Sequence, residues 1–274
     1  MHRLASQLDE RLRTLVRDGL VVAFSGGVDS AFLLWAAERA RREVGGRLLA
    51  LTSASESTPS WDFADATRFA AHLGVEHQVE RSEELSHAEY AQNGSDRCYH
   101  CKAELFRIAE RLRSERDLRW VAYGYTDSDR SDVRPGHRAA LEQGVVSPLA
   151  EAGLGKEDIR ELMREHGIEL ADKSASPCLA SRVMTGLPIT TRRLSDVEAL
   201  EGVLRRGGVV VNRVRVCEAG ADDRFLRIEV APDEMATVLP LRDELVREGR
   251  ARGYRWVTLD LQGYRSGGGT EGTP

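Results

Sequence analysis

Apolar residues first recur at helical spacing. Leu4, Leu8, Leu12 and Leu15 with Val16 line one side of a helix that ends near Gly19. The unbroken apolar run Val21-Val22-Ala23-Phe24 then reads as a strand buried on both faces. Ser25-Gly26-Gly27 makes a tight turn, and Val28, Asp29 and Ser30 lead into AFLLWAAERA, a helix that stops at Gly45-Gly46. Arg47 to Thr52 predicts a second strand. Ser57 to Gly74 predicts a helix with Trp61, Phe63, Ala66, Phe69, Ala70 and Leu73 on its apolar side. A short third strand falls at Val75 to Val79, a helix spans Lys102 to Leu112, and Trp120 to Tyr123 is a strand ending at Gly124. Strands alternating with helices predict an α/β fold, a parallel sheet with helices on both faces. Such sheets place ligands at the carboxyl ends of their strands.

The pattern changes downstream. TDSDRSDVRPGHRAA is loop-like, and its Asp127, Asp132 and Arg134 either meet a nucleotide or metal or form a solvated loop. Lys156 to His166 is helical, whereas Asp172 to Val183 has neither helical nor strand period. A boundary near Gly186-Leu187-Pro188 is followed by an amphipathic helix over Thr191 to Arg206. The strands VNRVRVC and FLRIEVA, one helix over Asp233 to Gly253 and the strand YRWVTLDL complete the set. The expected organisation is a domain at 1–186, a smaller α+β domain at 187–265 and a disordered tail at 266–274.

Composition narrows the function classes. No apolar run approaches the ~18 residues that a membrane span needs, and the amphipathic, acid-bearing N-terminus is unlike a targeting peptide. Cytoplasmic residence is expected. A net charge of −5 counts against a dedicated nucleic-acid binder. Four cysteines in such a chain point to metal or redox chemistry before disulfides.

The turn after the first strand carries the strongest chemical signal. Its glycines let N–H groups face outward and the following helix adds positive partial charge, which suits an anion. No lysine follows the last Gly, so this is not a Walker A loop. Ser-Gly-Gly-Val-Asp-Ser instead resembles the PP-loop of ATP pyrophosphatases, which release pyrophosphate while adenylating a substrate. Cys98 and Cys101 form Cys-Tyr-His-Cys before Lys102. A lone CxxC binds zinc or an iron–sulfur cluster, exchanges thiols, or has no role. Cys178, in Ser-Pro-Cys-Leu-Ala-Ser-Arg, is a third cysteine that nothing local buries. Three thiolates would leave one iron of a [4Fe–4S] cluster open to hold an extra sulfide. Adenylation followed by sulfur delivery is the chemistry these motifs suggest together. Cys217, at a strand end, reads as core.

DRCYHCK, RSDVRPGHRAA, SPCLASRV, VNRVRV and YRWVTLDLQGYRSG together resemble the LarE family. Its members are ATP-dependent sulfur-insertion enzymes that make the precursor of the nickel-pincer nucleotide. The resemblance covers nearly the whole chain. It implies a PP-loop domain joined to a smaller C-terminal domain, assembled as a homo-oligomer, a hexamer. The implied substrate is a pyridinium mononucleotide whose two carboxylates are adenylated and replaced by thiocarboxylates. A sulfide donor and a nickel-insertion partner are the other partners implied. One type of member sacrifices a single loop cysteine; the other has three cysteines, matched here by Cys98, Cys101 and Cys178, and holds a [4Fe–4S] cluster. The CxxC favours the cluster type.

The resemblance also assigns roles. Ser25, Gly26, Gly27, Asp29 and Ser30 would hold the ATP phosphates with Mg2+, and Ser53 or Ser55 would approach the ribose. Lys102 would neutralise the phosphates during adenylation, its bland alternative being a helix-surface lysine. Arg213 and Arg215 alternate along a strand and so share a face. They form a fork for the substrate phosphate or an exposed charged face, with Ser181 and Arg182 lending hydrogen bonds nearby. Glu201 and Glu229 correspond to acids near a divalent-metal or substrate site, or are solvated surface. A tRNA thiolase is the nearest rival, since it too pairs a PP-loop with CxxC and a distant cysteine. The acidic net charge and the C-terminal match count against it. A nucleotide-sensing iron–sulfur or zinc module is the non-enzymatic alternative.

Overall fold

Alternate residues of the first strand lie in two different cores, as a pleated strand between two helix layers requires. Leu20 and Val22 are buried with one set of helices, and Val21 and Ala23 with another. A computed structural model describes residues 2–131, 135–174, 176–219 and 224–265. Asp132, Arg134 and the tail at 266–274 lie outside them.

In chain order the first elements are α1 (His2–Asp18), β1 (Leu20–Ala23), α2 (Val28–Val44), β2 (Leu48–Ala54), α3 (Ser60–Leu73) and β3 (Glu76–Arg81). Then come α4 (Ala88–Ala91), α5 (Arg97–Glu115), β4 (Trp120–Tyr123), α6 (Pro135–Glu142), α7 (Pro148–Glu151) and α8 (Lys156–Glu165). The remainder holds α9 (Thr191–Arg206), β5 (Asn212–Glu218), β6 (Arg224–Val230), α10 (Met235–Val238), α11 (Arg242–Ala251) and β7 (Trp256–Leu259). The chain divides into two units, Met1–Glu84 with Asp96–Ser176, and Leu85–Ser95 with Pro177–Pro274.

The first unit is the expected α/β layer. Its sheet runs β3-β2-β1-β4, and every pairing is parallel. Leu8, Leu12, Leu15 and Val16 of α1 are buried at the spacing read from the sequence. They join α2, α3 and α8 against one face of the sheet, while Phe106, Ile108 and Leu112 of α5 fill the other. Each such side chain contributes roughly 1.5–3 kcal/mol on burial. One detail of α3 departs from the sequence pattern. Its buried stripe is Asp62, Ala66, Phe69, Ala70 and Leu73, whereas Trp61 and Phe63 stay half-exposed. A carboxylate holds a core position because a lysine, described below, is brought to it.

The second unit is built on a three-stranded sheet, β5-β6-β7, with β5 antiparallel and β7 parallel to β6. Val214 and Val216 of β5 and Leu226, Ile228 and Val230 of β6 are buried, as are Leu194, Val197, Leu200 and Leu204 of α9. The single helix expected over Asp233 to Gly253 is broken into short turns, α10 and then α11. Pro240 sits at the break, where it has no N–H to donate and would clash with the preceding turn. The segment 85–95 joins this unit through Asn93, fully buried with φ 60°. Its side-chain amide donates to the carbonyls of Val183 (3.2 Å), Met184 (2.9 Å) and Leu187 (2.9 Å). Among the described residues no helix is long and apolar enough to cross a membrane.

Candidate active site

The turn after β1 sits at the carboxyl end of the parallel sheet. Gly26 has φ +74°, and Gly27 begins α2 without a side-chain cap among the described residues. The positive end of the 17-residue helix α2 therefore lies at this turn, where backbone N–H groups suit an anion. Two hydroxyls shape the turn. Ser30 Oγ accepts from Ser25 N (3.3 Å), donates to the Gly27 carbonyl (3.1 Å) and meets Ser25 Oγ at 3.2 Å. Ser25 Oγ in turn accepts a long hydrogen bond from Gly27 N, 3.4 Å. The end of β4 passes close by: a Cβ on Gly124 would stand 2.8 Å from Ser30 N, so only glycine fits. Asp29 lies in the first turn of α2, half-buried. This arrangement can cradle a polyanion with backbone dipoles, hydroxyls and no charged side chain in the turn but Asp29.

Around it, Ser55 Oγ donates to Glu84 (2.5 Å) and accepts from Ser57 N (2.9 Å), so that hydroxyl is engaged within the fold. Asp127 pairs with Arg130 at 3.2 Å. Lys102 is half-buried in α5, and the start of α6 lies on its stem, a Cβ on Gly136 falling 2.8 Å from Lys102 Cγ. Cys98 and Cys101 occupy the first turn of α5, one exposed and one half-exposed. Their spacing puts both thiols on one side of the helix, which fits a pair of thiolate ligands. Cys178, in the other unit, is also half-exposed and begins the 310 turn Leu179–Arg182. Cys217 is buried, which pushes its thiol above the ordinary range. No disulfide joins any of the four. Among the described residues, no three His, Cys, Asp or Glu side chains gather as metal ligands.

In the second unit Arg213 and Arg215 of β5 and Glu229 of β6 are buried. Arg213 is 8% exposed, Arg215 6% and Glu229 2%, so the solvated alternatives are excluded. Arg215 Nε donates to Glu229 Oε1 (2.8 Å) and its Nη1 to the Ser181 carbonyl (3.0 Å). Arg227 donates to the same Glu229 oxygen at 2.8 Å, while buried Glu229 Oε2 has no hydrogen-bond partner among the described residues. Arg213 lies under the Tyr264 ring, 5.0 Å from its centroid. Burial and then the neighbouring Arg182 lower the pKa of its guanidinium.

Residues 2–111 match the asparagine synthase family. An uncharacterised Synechocystis protein is 35% identical over 252 residues, covering 91% of this chain and 91% of that protein. The pyridinium-3,5-bisthiocarboxylic acid mononucleotide synthase of Lactiplantibacillus plantarum is 32% identical over 250 residues, 90% of this chain and 87% of the synthase. An uncharacterised Methanocaldococcus jannaschii protein is 25% identical over 264 residues, 96% of each. The chain belongs to the LarE family. It is an ATP-dependent sulfurtransferase with a PP-loop.

For a LarE-family chain the structure uses two of the expected substrate residues differently. Arg182 is 1% exposed and fully engaged. Its Nε and Nη2 donate to Glu201 at 2.9 and 3.2 Å, and its Nη1 donates to the carbonyls of Pro177 and Cys178. Glu201, 2% exposed, also accepts from Val214 N at 3.1 Å. The pair therefore fixes the backbone that carries Cys178 rather than facing solvent or open solution. Ser181 does likewise, its hydroxyl donating to the Cys178 carbonyl at 2.7 Å.

Two residues escaped the sequence reading. Lys173 Nζ lies 2.9 Å from Asp62, 3.0 Å from Asp65 and 3.1 Å from the Gly26 carbonyl. His137 stacks on Tyr125, centroids 3.9 Å apart, and meets the Tyr123 hydroxyl at 2.5 Å. Burial and then Arg130 push this imidazole below its ordinary range. The nearest signal for Lys173 was its place in DKSASPC, just before Cys178; for His137 it was Pro-Gly-His at a helix start.

Proposed function

We propose that this chain adenylates the two carboxylates of a pyridinium mononucleotide and converts each to a thiocarboxylate. The observation that carries the reading is the uncapped, glycine-built PP-loop in a chain alike over nearly its full length to the Lactiplantibacillus plantarum synthase. A substrate carboxylate oxygen attacks the α-phosphorus of ATP, and pyrophosphate leaves. Sulfide sulfur then attacks the acyl-adenylate carbonyl, and AMP leaves with the electron pair of the broken C–O bond.

Ser25, Gly26, Gly27, Asp29 and Ser30 bind and orient the phosphates with Mg2+. Lys102 offsets charge as pyrophosphate departs. Orientation and charge neutralisation are the main demands, since both leaving groups are phosphates. Arg213 and Arg215 hold the substrate phosphate. The placement of Arg213 and Arg215 on alternate positions of β5, both buried, supports this, because paired guanidiniums suit a phosphate. Glu229 Oε2 is free to accept from a substrate hydroxyl or to ligate a divalent ion. A [4Fe–4S] cluster held by Cys98, Cys101 and Cys178 would supply the sulfide on its fourth iron. Arg182, Glu201 and Ser181 keep the Cys178 backbone in place for it. The homo-oligomer, the domain division at 186 and the cytoplasmic setting belong to the same proposal.

Anaerobic purification with iron and sulfide measured per chain, beside a Cys98→Ala control, tests the reading. About four irons per chain, lost in the control, together with substrate-dependent pyrophosphate release, is the expected result. No iron, with Cys178 converted to dehydroalanine after turnover, would replace the cluster by sacrifice of the cysteine. Silence with ATP and substrate would sink the activity itself.

A further inference from the structure

A peptide flanked by two glycines turns over at little steric cost. The PP-loop, however, can cradle an anion only with the Gly27 N–H turned inward and the Gly26 carbonyl turned outward. These two groups point in opposite directions across a trans peptide, and no peptide among the described residues is cis. The Gly27 N–H lies on the side of the Ser25 hydroxyl, which meets that of Ser30 at 3.2 Å. The Gly26 carbonyl points the other way, onto Lys173 Nζ at 3.1 Å.

Lys173 is itself held firmly. Asp62, buried in α3, binds it at 2.9 Å and also accepts from the Ser176 hydroxyl. Asp65 binds it at 3.0 Å and pairs with Arg68 at 2.7 Å. Burial alone would raise the Asp65 carboxyl, but Lys173 and then Arg68 more than reverse that and hold it below the ordinary range. The loop is also pressed onto α3 at this point, since a Cβ on Gly26 would stand 3.0 Å from Ala66 Cβ and 3.1 Å from the Asp62 carbonyl.

We propose that Lys173, seated on Asp62 and Asp65, is a positioning residue that locks the Gly26–Gly27 peptide with its N–H toward the polyphosphate of ATP. The inference rests on the reading of the loop as the seat of the ATP phosphates. Lys173 and Arg68 balance Asp62 and Asp65, so the group does not attract phosphate by net charge. It acts through the peptide it holds. Without it the carbonyl can swing inward and set a negative partial charge against the phosphates, while the adenosine end is untouched.

The test is calorimetric binding of Mg-ATP, inorganic pyrophosphate and AMP to the full chain and to Lys173→Met. The lock predicts a loss of about 10- to 100-fold for ATP and pyrophosphate, with AMP within about threefold of the parent. KM for ATP should rise more than kcat falls, and Lys173→Arg should recover part of the affinity. If Lys173→Met does not fold, Lys173→Met/Asp62→Asn carries the same test, because it leaves no buried unpaired charge. Unchanged ATP affinity, or equal losses for ATP and AMP, overturns the lock. A parent chain that binds neither ATP nor pyrophosphate overturns the nucleotide reading instead.

Discussion

The loop after β1 offers amides and hydroxyls around two glycines, whereas the charged face of β5 and β6 offers whole ions removed from water. The first arrangement costs little desolvation, because peptide dipoles are already in place, but it depends on backbone angles that few residues adopt. The second tolerates ordinary strand geometry, yet each buried ion is stable only while its partner remains. Damage to the loop should therefore remove function first, and damage to the ion pairs should remove stability first.

The largest break expected is Gly26→Val. Its positive φ and the 3.0 Å approach of Ala66 leave no room for a branched side chain. ATP-dependent pyrophosphate release should fall by about 100-fold or more, while the second unit unfolds in urea as before. Equal loss in both would erase the contrast. Next is Arg182→Ala, which strands buried Glu201 and should cost roughly 3–5 kcal/mol in urea unfolding. Arg182→Met/Glu201→Leu should recover most of that, since it removes both charges together. A single-variant loss under about 1 kcal/mol would mean the pair behaves as a surface bridge.

The smallest effect concerns pH, and its sign differs between the units. In the first, burial pushes Glu38 up, but Arg41 and Arg42 more than reverse that and hold it below its ordinary 4.5. Its stabilisation is full above that value and is lost as pH falls through the lower folded one. In the second, burial raises Asp196 above 3.8, only partly opposed by the Tyr254 hydroxyl and by Arg192 and Arg252. Its charge is a cost at neutral pH that is relieved as pH falls through the raised value. Glu38→Gln should thus weaken the first unit at pH 7, and Asp196→Asn should strengthen the second, each by less than the Arg182→Ala effect. Melting of both variants at pH 7 and about pH 4 checks the signs.

The same contrast explains what could be read from the sequence. Ser25-Gly26-Gly27 announces a backbone-built site because the positive φ at Gly26 favours glycine, and strand β4 and helix α9 fall at the residues their patterns predicted. A charge, by contrast, reads as surface unless its partner is known. Arg182 and Glu201 are 19 positions apart and Lys173 lies 108 from Asp65, so no local period joins them. Asp62 shows the converse. It took the buried place in α3 while Trp61 and Phe63 stayed half-exposed, for the sake of a lysine that sequence spacing could not bring to it. Pro240 was visible all along, and its break in the last helical stretch is a local effect that the apolar periodicity masked.

Asn93 sets a timetable. Its three acceptors lie 90, 91 and 94 positions later. During synthesis the segment around it leaves the ribosome long before those carbonyls exist, whereas β1 and β2 can already pair. Closing so long a loop adds only a modest entropic cost, so the delay is one of availability. Until then Tyr90, 1% exposed in the finished fold, and the Asn93 amide must stay in water.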